Sequence, residues 1–296
     1  MKAKCIIMSL TAAASAAVVA AENPYGACAH VTRGEPPART CAMMRIAGMG
    51  WVRSDFDWRG IETKKGEWAK NLNPFAGKGY VEGNAWQLTY FVPQDVPALV
   101  ERIGRDRFLE RLKWGFEKSC PFRYNAPGER FDKFPVVQGN QQSMHFAFLF
   151  SWAGEPWETQ KWARSIMERY YGYGDATAWL GDEDQGQMSA WFVMASIGLF
   201  QTDGGCRANP VYEIASPLYE EAVVDLGGRF GRGKTFTVKA HNASRANKYV
   251  QKAVFNGKPH GSFLLDAREV LKGGTLELWM GPEPNRQWGI AKRRIP

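Results

Sequence analysis

Between Tyr80 and Phe200 apolar residues recur at three- and four-residue intervals in five stretches: DVPALVERIG, RDRFLERLKWGFEKS, QQSMHFAFLFSWAG, EPWETQKWARSIMERYYG and GQMSAWFVMASIGLF. Side chains three and four positions apart share one face of a helix, so this spacing predicts helices that each bury one face, with Gly or polar residues as stops. From Asn209 onward the period falls to two, in AVVDL, KTFTVKAH, YVQKAVFNG, SFLLD and GTLELWMG, with GRGK and FNGK between runs. Alternation puts one face of a strand on a core and the other in water, and the glycine-bearing tetrads supply tight turns. The end of the chain therefore predicts a compact antiparallel β region.

Ahead of the helical part, YGACAHVTRG, ARTCAMMRIAGMG and WVRSDFDW read as strand, helix and strand. Met43, Ile46, Ala47 and Met49 keep a helical spacing, and Gly48 and Gly50 would stop it. The Pro- and Gly-punctuated NLNPFAGKGY marks a boundary near Lys70. At the start, a basic end, a small-residue apolar middle and Ala20-Ala21 have the form of a secretory signal, too weak for a membrane span. The organisation expected is a signal peptide over 1–21, a β/α fragment over 22–70, a helical region over 71–208 and a β region over 209–296. A secreted or periplasmic location follows from that signal.

Composition narrows the partners. The net charge is +8, but Lys and Arg are scattered among acids without forming a stripe, which argues against nucleic acid. Many of the 12 tryptophans stand beside Gly, Asn, Gln or acids, as in EGNAWQ and SWAGEPW, a setting suited to flat polar ligands such as sugar rings. Cys28, Cys41, Cys120 and Cys206 would follow the signal; their spacing names no metal site, and three pairings or free thiols stay open.

The stretch GDEDQGQMSAW places three carboxylates together where an apolar helix begins. Adjacent like charges disfavour ionisation, so the cluster needs a cation, hydrogen-bond donors or a role in proton transfer; an acidic first helical turn is the alternative. Two further motifs precede it: GKGYVEGNAWQL, with Glu82, and VVQGNQQSMHF, with Asn140 and Gln141. With FVPQDV, WAGEPWETQ, NPVYEIASPLY and GGTLELWMGPEPN, these phrases resemble glycoside hydrolase family 92 from about Asn73 to Ile290. The resemblance implies a calcium-dependent, exo-acting, inverting α-mannosidase built on an (α/α)6 toroid.

Inversion needs a protonated carboxyl for the departing oxygen and a carboxylate for the attacking water, ~6.5–9.5 Å apart. Carried over by motif, Glu82 is the general acid, Asp184 the base and Asp182 its partner in the water site, with Glu183 pointing elsewhere. Ca2+ suits oxygen donors, and Asn84 and Gln141 are its implied near-metal groups. Trp86, Gln142 and His145 are the implied substrate contacts on an α-mannoside glycan. Where the family carries a GNEP-x-HH phrase this chain reads GNQQSMH, keeping only His145 of the paired histidines. His145 also lies four residues before Leu149 on a helical face, so a hydrogen-bonded core histidine is its alternative.

A full toroid needs about twelve helices, more than the stretch from Tyr80 to Phe200 can supply at ordinary helix lengths. The fold expected is thus mainly α with a C-terminal antiparallel β region, an incomplete (α/α)6 toroid preceded by a short βαβ fragment. Uncovered apolar helix faces would call for a complementing chain. Asn23 to Trp68, with WVRSDFDW and IETKKGEW, resembles the opening β/α unit of a barrel-type glycoside hydrolase, as though two gene ends were joined near Lys70. The second functional expectation is a non-catalytic, carbohydrate-binding remnant of such an enzyme.

Overall fold

The computed structural model describes residues 83–125, 134–171 and 186–290, together with the backbone of a short strand pair, β1 (Glu62–Lys64) and β2 (Glu67–Trp68). The chain divides into two units, Met1–Ala85 and Trp86–Pro296. In the first, β1 and β2 pair antiparallel within IETKKGEW. The expected signal peptide and the strand–helix–strand reading of YGACAHVTRG, ARTCAMMRIAGMG and WVRSDFDW lie outside the described residues.

Among the described residues the second unit begins with six helices, of which all but the first fall where the three- and four-residue spacing places them. They are α1 (Ala85–Tyr90), α2 (Val96–Ile103), α3 (Arg105–Ser119), α4 (Phe146–Trp152), α5 (Pro156–Arg169) and α6 (Gln187–Ser196). Asp95 caps α2, its Oδ1 accepting from the Ala98 amide at 3.1 Å. Pro156 opens α5 at a position whose N–H would have no helical partner. The polar start of QQSMHFAFLFSWAG is not part of α4: Gln141–Ser143 forms a separate 3-10 turn.

Helix α4 explains the centre of the unit. Every residue of FAFLFS, Phe146 to Ser151, is buried, so this helix has no solvent face and must be surrounded. Phe116 of α3 packs against Phe150 at 5.5 Å and Trp162 of α5 at 5.1 Å between ring centroids. Gly115 lets α1 approach α3, because a Cβ there would stand 2.4 Å from the Trp86 ring. Among the described residues the helices do not close into a ring, which matches the expected incomplete toroid, and none is long and apolar enough to cross a membrane.

The predicted tail of the last helix, GLF, becomes strand β3 (Leu199–Phe200). Gly198 makes that break: its φ is +82°, and a Cβ would meet the Pro217 ring at 2.6 Å. Strand β3 pairs with β4 (Val211–Ile214), which pairs with β9 (Leu264–Asp266). A larger sheet takes the order β5 (Glu221–Asp225), β6 (Thr235–His241), β10 (Gly274–Gly281), β7 (Tyr249–Phe255) and β8 (Lys258–Pro259). The β region is mixed, not purely antiparallel. Strand β10 enters after β9 and the short helix α7 (Ala267–Leu271), and lies parallel to β6 and antiparallel to β7. A parallel pair needs a long crossover, and residues 242–273 supply it. Phe236, Val238, Ala240, Val250, Ala253, Leu276 and Leu278 fill the buried face of this sheet.

Polar ties join the helices to the sheets. Arg164 of α5 is buried and donates to Pro217 O at 2.7 Å and to Ser244 O at 2.9 Å, while Gln160 Oε1 accepts from Val250 N at 3.0 Å. A buried guanidinium is costly unless its donors are used; here Nη1 and Nη2 hold two loops that no apolar contact could orient, while Nε finds no acceptor among the described residues. Arg164→Leu should lower unfolding free energy by about 3 kcal/mol, since two carbonyls lose charged donors. The exposed Arg102→Leu should change it by less than about 0.5 kcal/mol. Urea midpoints that shift equally for both would contradict this assignment.

Candidate active site

The three carboxylates expected to carry the chemistry, Glu82, Asp182 and Asp184, lie outside the described residues, as does Glu183. The structure describes what flanks them. Gly83 and Asn84, directly after Glu82, are buried, and α6 begins three residues after Asp184. Between these comes the amide-rich segment from Phe134 to His145.

That segment is irregular yet buried, so its backbone groups must be paired. Val136 N donates to Ser119 Oγ at 3.0 Å, Val137 N to Ser143 Oγ at 3.1 Å and Gln138 N to Tyr124 O at 2.8 Å. Asn140 Oδ1 accepts from Gln141 N at 2.9 Å and caps the 3-10 turn. Val136 and Val137 are fully buried, which draws the polar stretch after them into the interior. The motif thus folds as a buried loop that holds amide side chains on a fixed backbone.

Two ties fasten this loop to α6. Trp191 Nε1 donates to Met144 O at 2.7 Å. The Tyr171 ring stacks on Trp191, with centroids 5.4 Å apart and planes within 6°. The Tyr171 hydroxyl donates to Met188 O at 3.2 Å and accepts from Gln138 Nε2 at 3.3 Å. The helix that follows GDEDQ is therefore pinned to the amide loop through Met188 in its first turn and Trp191 just beyond it. Gln138 Oε1 and Gln142 Oε1 are buried and accept no hydrogen bond among the described residues.

Sequence reasoning singles out Asn140, Gln141, Gln142 and His145 in this motif and passes over Gln138, although Gln138 stands in the same phrase. Nothing in the sequence points to Tyr171, because its partners lie 33 residues before it and 17 after it. Gln141 and Gln142 are half-buried on the turn. His145 is buried, with Nε2 3.0 Å from Tyr90 O and its ring edge-on to Phe91 and Phe146. This is the environment of a satisfied core histidine, the alternative weighed for it. Half-buried Trp86 packs on Tyr90 at 4.7 Å, Phe146 at 5.8 Å and Trp114 at 6.4 Å.

Among the described residues no cluster of three or more His, Cys, Asp or Glu is placed to hold a metal ion, and Cys120 and Cys206 are free thiols. One acid among the described residues, Glu213, is fully buried. Glu213 of β4 accepts from Trp152 Nε1 at 2.8 Å, Thr202 N at 3.2 Å and Thr202 Oγ1 at 2.7 Å. Arg207 lies over the Trp152 ring at 4.5 Å and pairs with Asp203. Glu213 thus locks the end of α4 to the residues that follow β3.

Comparison with known proteins places these motifs in one context. The glycosyl hydrolase family 92 catalytic domain matches residues 57–282. A curated protein of Arthroderma benhamiae, described as an uncharacterized secreted glycosidase, is 29% identical over 219 residues, 73% of this chain and 25% of that protein. The structure of the family GH92 α-mannosidase BT3965 from Bacteroides thetaiotaomicron is 31% identical with a TM-score of 0.66, covering 79% of this chain and 29% of that one. The family GH92 inverting mannosidase BT2199 of the same organism is 30% identical with a TM-score of 0.64, covering 76% and 31%. The chain spans between a quarter and a third of the length of these relatives.

Burial shifts one acid and one base in opposite directions. It pushes Glu213 up from an ordinary 4.5 to about 7, against the hydrogen bonds from Thr202 and Trp152 that favour the carboxylate. It drives His145 down from 6.5 to about 4, with the Tyr90 carbonyl acting the other way. The folded protein keeps a proton on Glu213 that the unfolded chain releases, so this contribution to stability is full below 4.5 and lost as pH rises through about 7. The unfolded chain protonates His145 where the folded protein does not, so its contribution is full above 6.5 and lost as pH falls through about 4. Between pH 7 and 5 the two offset each other. Glu213→Gln should therefore lose stability on acidification more steeply than the parent protein, read as urea midpoint against pH; parallel profiles would remove Glu213 as a titrating core group.

Proposed function

The chain belongs to glycosyl hydrolase family 92, and from that premise we propose that it carries the acid, base and cation machinery of an exo-acting, inverting, calcium-dependent α-mannosidase acting on mannose-bearing glycans. The names of the two bacterial relatives, an α-mannosidase and an inverting mannosidase, support the reaction class. The secreted glycosidase among the relatives supports a location outside the cytoplasm, as the signal-like start of this chain does.

The observation that carries the reading is the pair of buried amide oxygens, Gln138 Oε1 and Gln142 Oε1, that accept no hydrogen bond among the described residues. A buried acceptor left without a donor costs about 1–3 kcal/mol, so two of them in one loop argue for a bound electron-poor partner. A hard cation with oxygen ligands fits that donor set, since neither thiol nor imidazole is needed. Gln138 and Gln142 would hold Ca2+ together with Asn84 and Gln141. When bound, calcium supplies positive charge that grips sugar hydroxyls and relieves repulsion between neighbouring carboxylates.

The chain's own residues then divide the work. Glu82 delivers a proton to the departing glycosidic oxygen. Asp184, steadied by Asp182, takes a proton from water as its oxygen attacks the anomeric carbon from the opposite face. Trp86 and the amide nitrogen of Gln142 would contact the sugar, the roles that the motif resemblance implies. His145, neutral and bonded to Tyr90, keeps the loop's end in place so that these groups keep their aim. The second reading is binding of α-mannosides without turnover.

Proton NMR of α-mannobiose hydrolysis distinguishes the two. The expected first product is the β-anomer of mannose, its release abolished by chelator and restored by calcium, with Glu82→Gln and Asp184→Asn each slowing turnover by about 10²–10⁴-fold. Saturable mannoside binding with no release supports the second reading. First appearance of α-mannose would overturn the inverting assignment.

A further inference from the structure

We propose that Tyr171 is a positioning residue that sets the orientation of the Gln138 amide and thereby points its oxygen at the bound cation. The inference rests on the calcium reading above and goes beyond it by naming what aims the ligand. A glutamine amide has two nearly equal ends, and only its hydrogen-bond partners decide which end points where. At Gln138 that decision falls to one phenol.

Tyr171 has a single hydroxyl proton, and it is given to Met188 O at 3.2 Å. The phenol oxygen can then only accept toward Gln138, so the amide must turn its NH2 to Tyr171, at 3.3 Å, and its carbonyl oxygen away. That oxygen is buried and without a donor among the described residues, and Gln138 as a whole is fully buried. The phenol itself is fixed by the stack on Trp191, whose indole is anchored on Met144 O. Met188 and Gln138 belong to the two motif segments, so one hydroxyl both ties them and fixes the amide. Removing it leaves the ring stack intact but allows the amide to turn over and present NH2 where oxygen is needed.

The test is calcium chloride titration followed by thermal unfolding, using the full chain, Tyr171→Phe, Gln138→Leu and the double variant. Phenylalanine keeps the stack, so a purely structural role would lower melting temperature equally with and without calcium. The expected result is a calcium-induced rise in melting temperature for the parent protein, and apparent calcium affinity reduced about 10–100-fold in Tyr171→Phe, as for loss of an outer-shell ligand partner. Gln138→Leu should weaken calcium at least as much, and the double variant no further than Gln138→Leu alone. Parent-like calcium affinity in Tyr171→Phe overturns the inference, as does additive loss in the double variant. If Tyr171→Phe does not fold, parent-like calcium affinity in Gln138→Leu overturns it equally. Unchanged calcium affinity with weakened mannose binding would put the oxygen against a sugar hydroxyl and also overturn it. A parent protein whose melting ignores calcium defeats the calcium reading itself, a result distinct from a responsive parent with an unaffected Tyr171→Phe.

Discussion

A buried indole N–H needs an acceptor, and the acceptor Trp191 finds, Met144 O at 2.7 Å, holds the two motif segments together. The amide loop has no regular structure of its own, so its shape is borrowed from what surrounds it. Serine hydroxyls take its first amides, Tyr124 O takes the next, and Trp191 takes the carbonyl at its far end. With those pairings made, the loop can place glutamines in the interior without unravelling. Without the indole, the loop and α6 would keep only the bridge from Gln138 through the Tyr171 hydroxyl to Met188 O, and the loop's far end would lose its anchor.

This polar frame works because the apolar core is nearly complete around it. Helix α4, buried on all sides, is the post against which α2, α3 and α5 lean, and the aromatic contacts of Phe116, Phe146 and Phe150 fill the gaps between them. The sheets add a second core, and the Arg164, Gln160 and Glu213 ties keep that core in a fixed relation to the helices. Each tie is a buried or half-buried hydrogen bond, not a surface ion pair, so added salt should screen it little.

The sequence made the periodic elements legible and left the pairings obscure, for reasons visible in particular residues. Helices α2, α3 and α5 fall where the apolar spacing puts them, because a 3.6-residue period is written into one segment and needs no partner to be read. The GLF tail continues the helical spacing, and the break before it depends on Pro217 crowding Gly198, a contact across 19 residues. The parallel pairing of β10 with β6 was hidden for the same reason: alternation tells which face is buried, never which strand lies alongside. At the site, Gln138 was in plain view within its motif, but its distinction from Gln141 comes only from Tyr171. The spacing around His145 suits a sugar contact and a core histidine alike, and the Tyr90 carbonyl beside its ring lies 55 residues away in sequence. The carboxylates Glu82, Asp182 and Asp184 rest on motif resemblance, and the frame on both flanks of them is what the structure contributes.

The central claim is that this frame presents an amide oxygen to a cation. A crystal structure grown with calcium, with the ion located by its anomalous signal, tests it most directly. The account predicts a peak about 2.3–2.6 Å from Gln138 Oε1, with the amide nitrogen still on the Tyr171 hydroxyl. A Gln138 oxygen satisfied by a protein donor, with calcium bound elsewhere or nowhere, would contradict it.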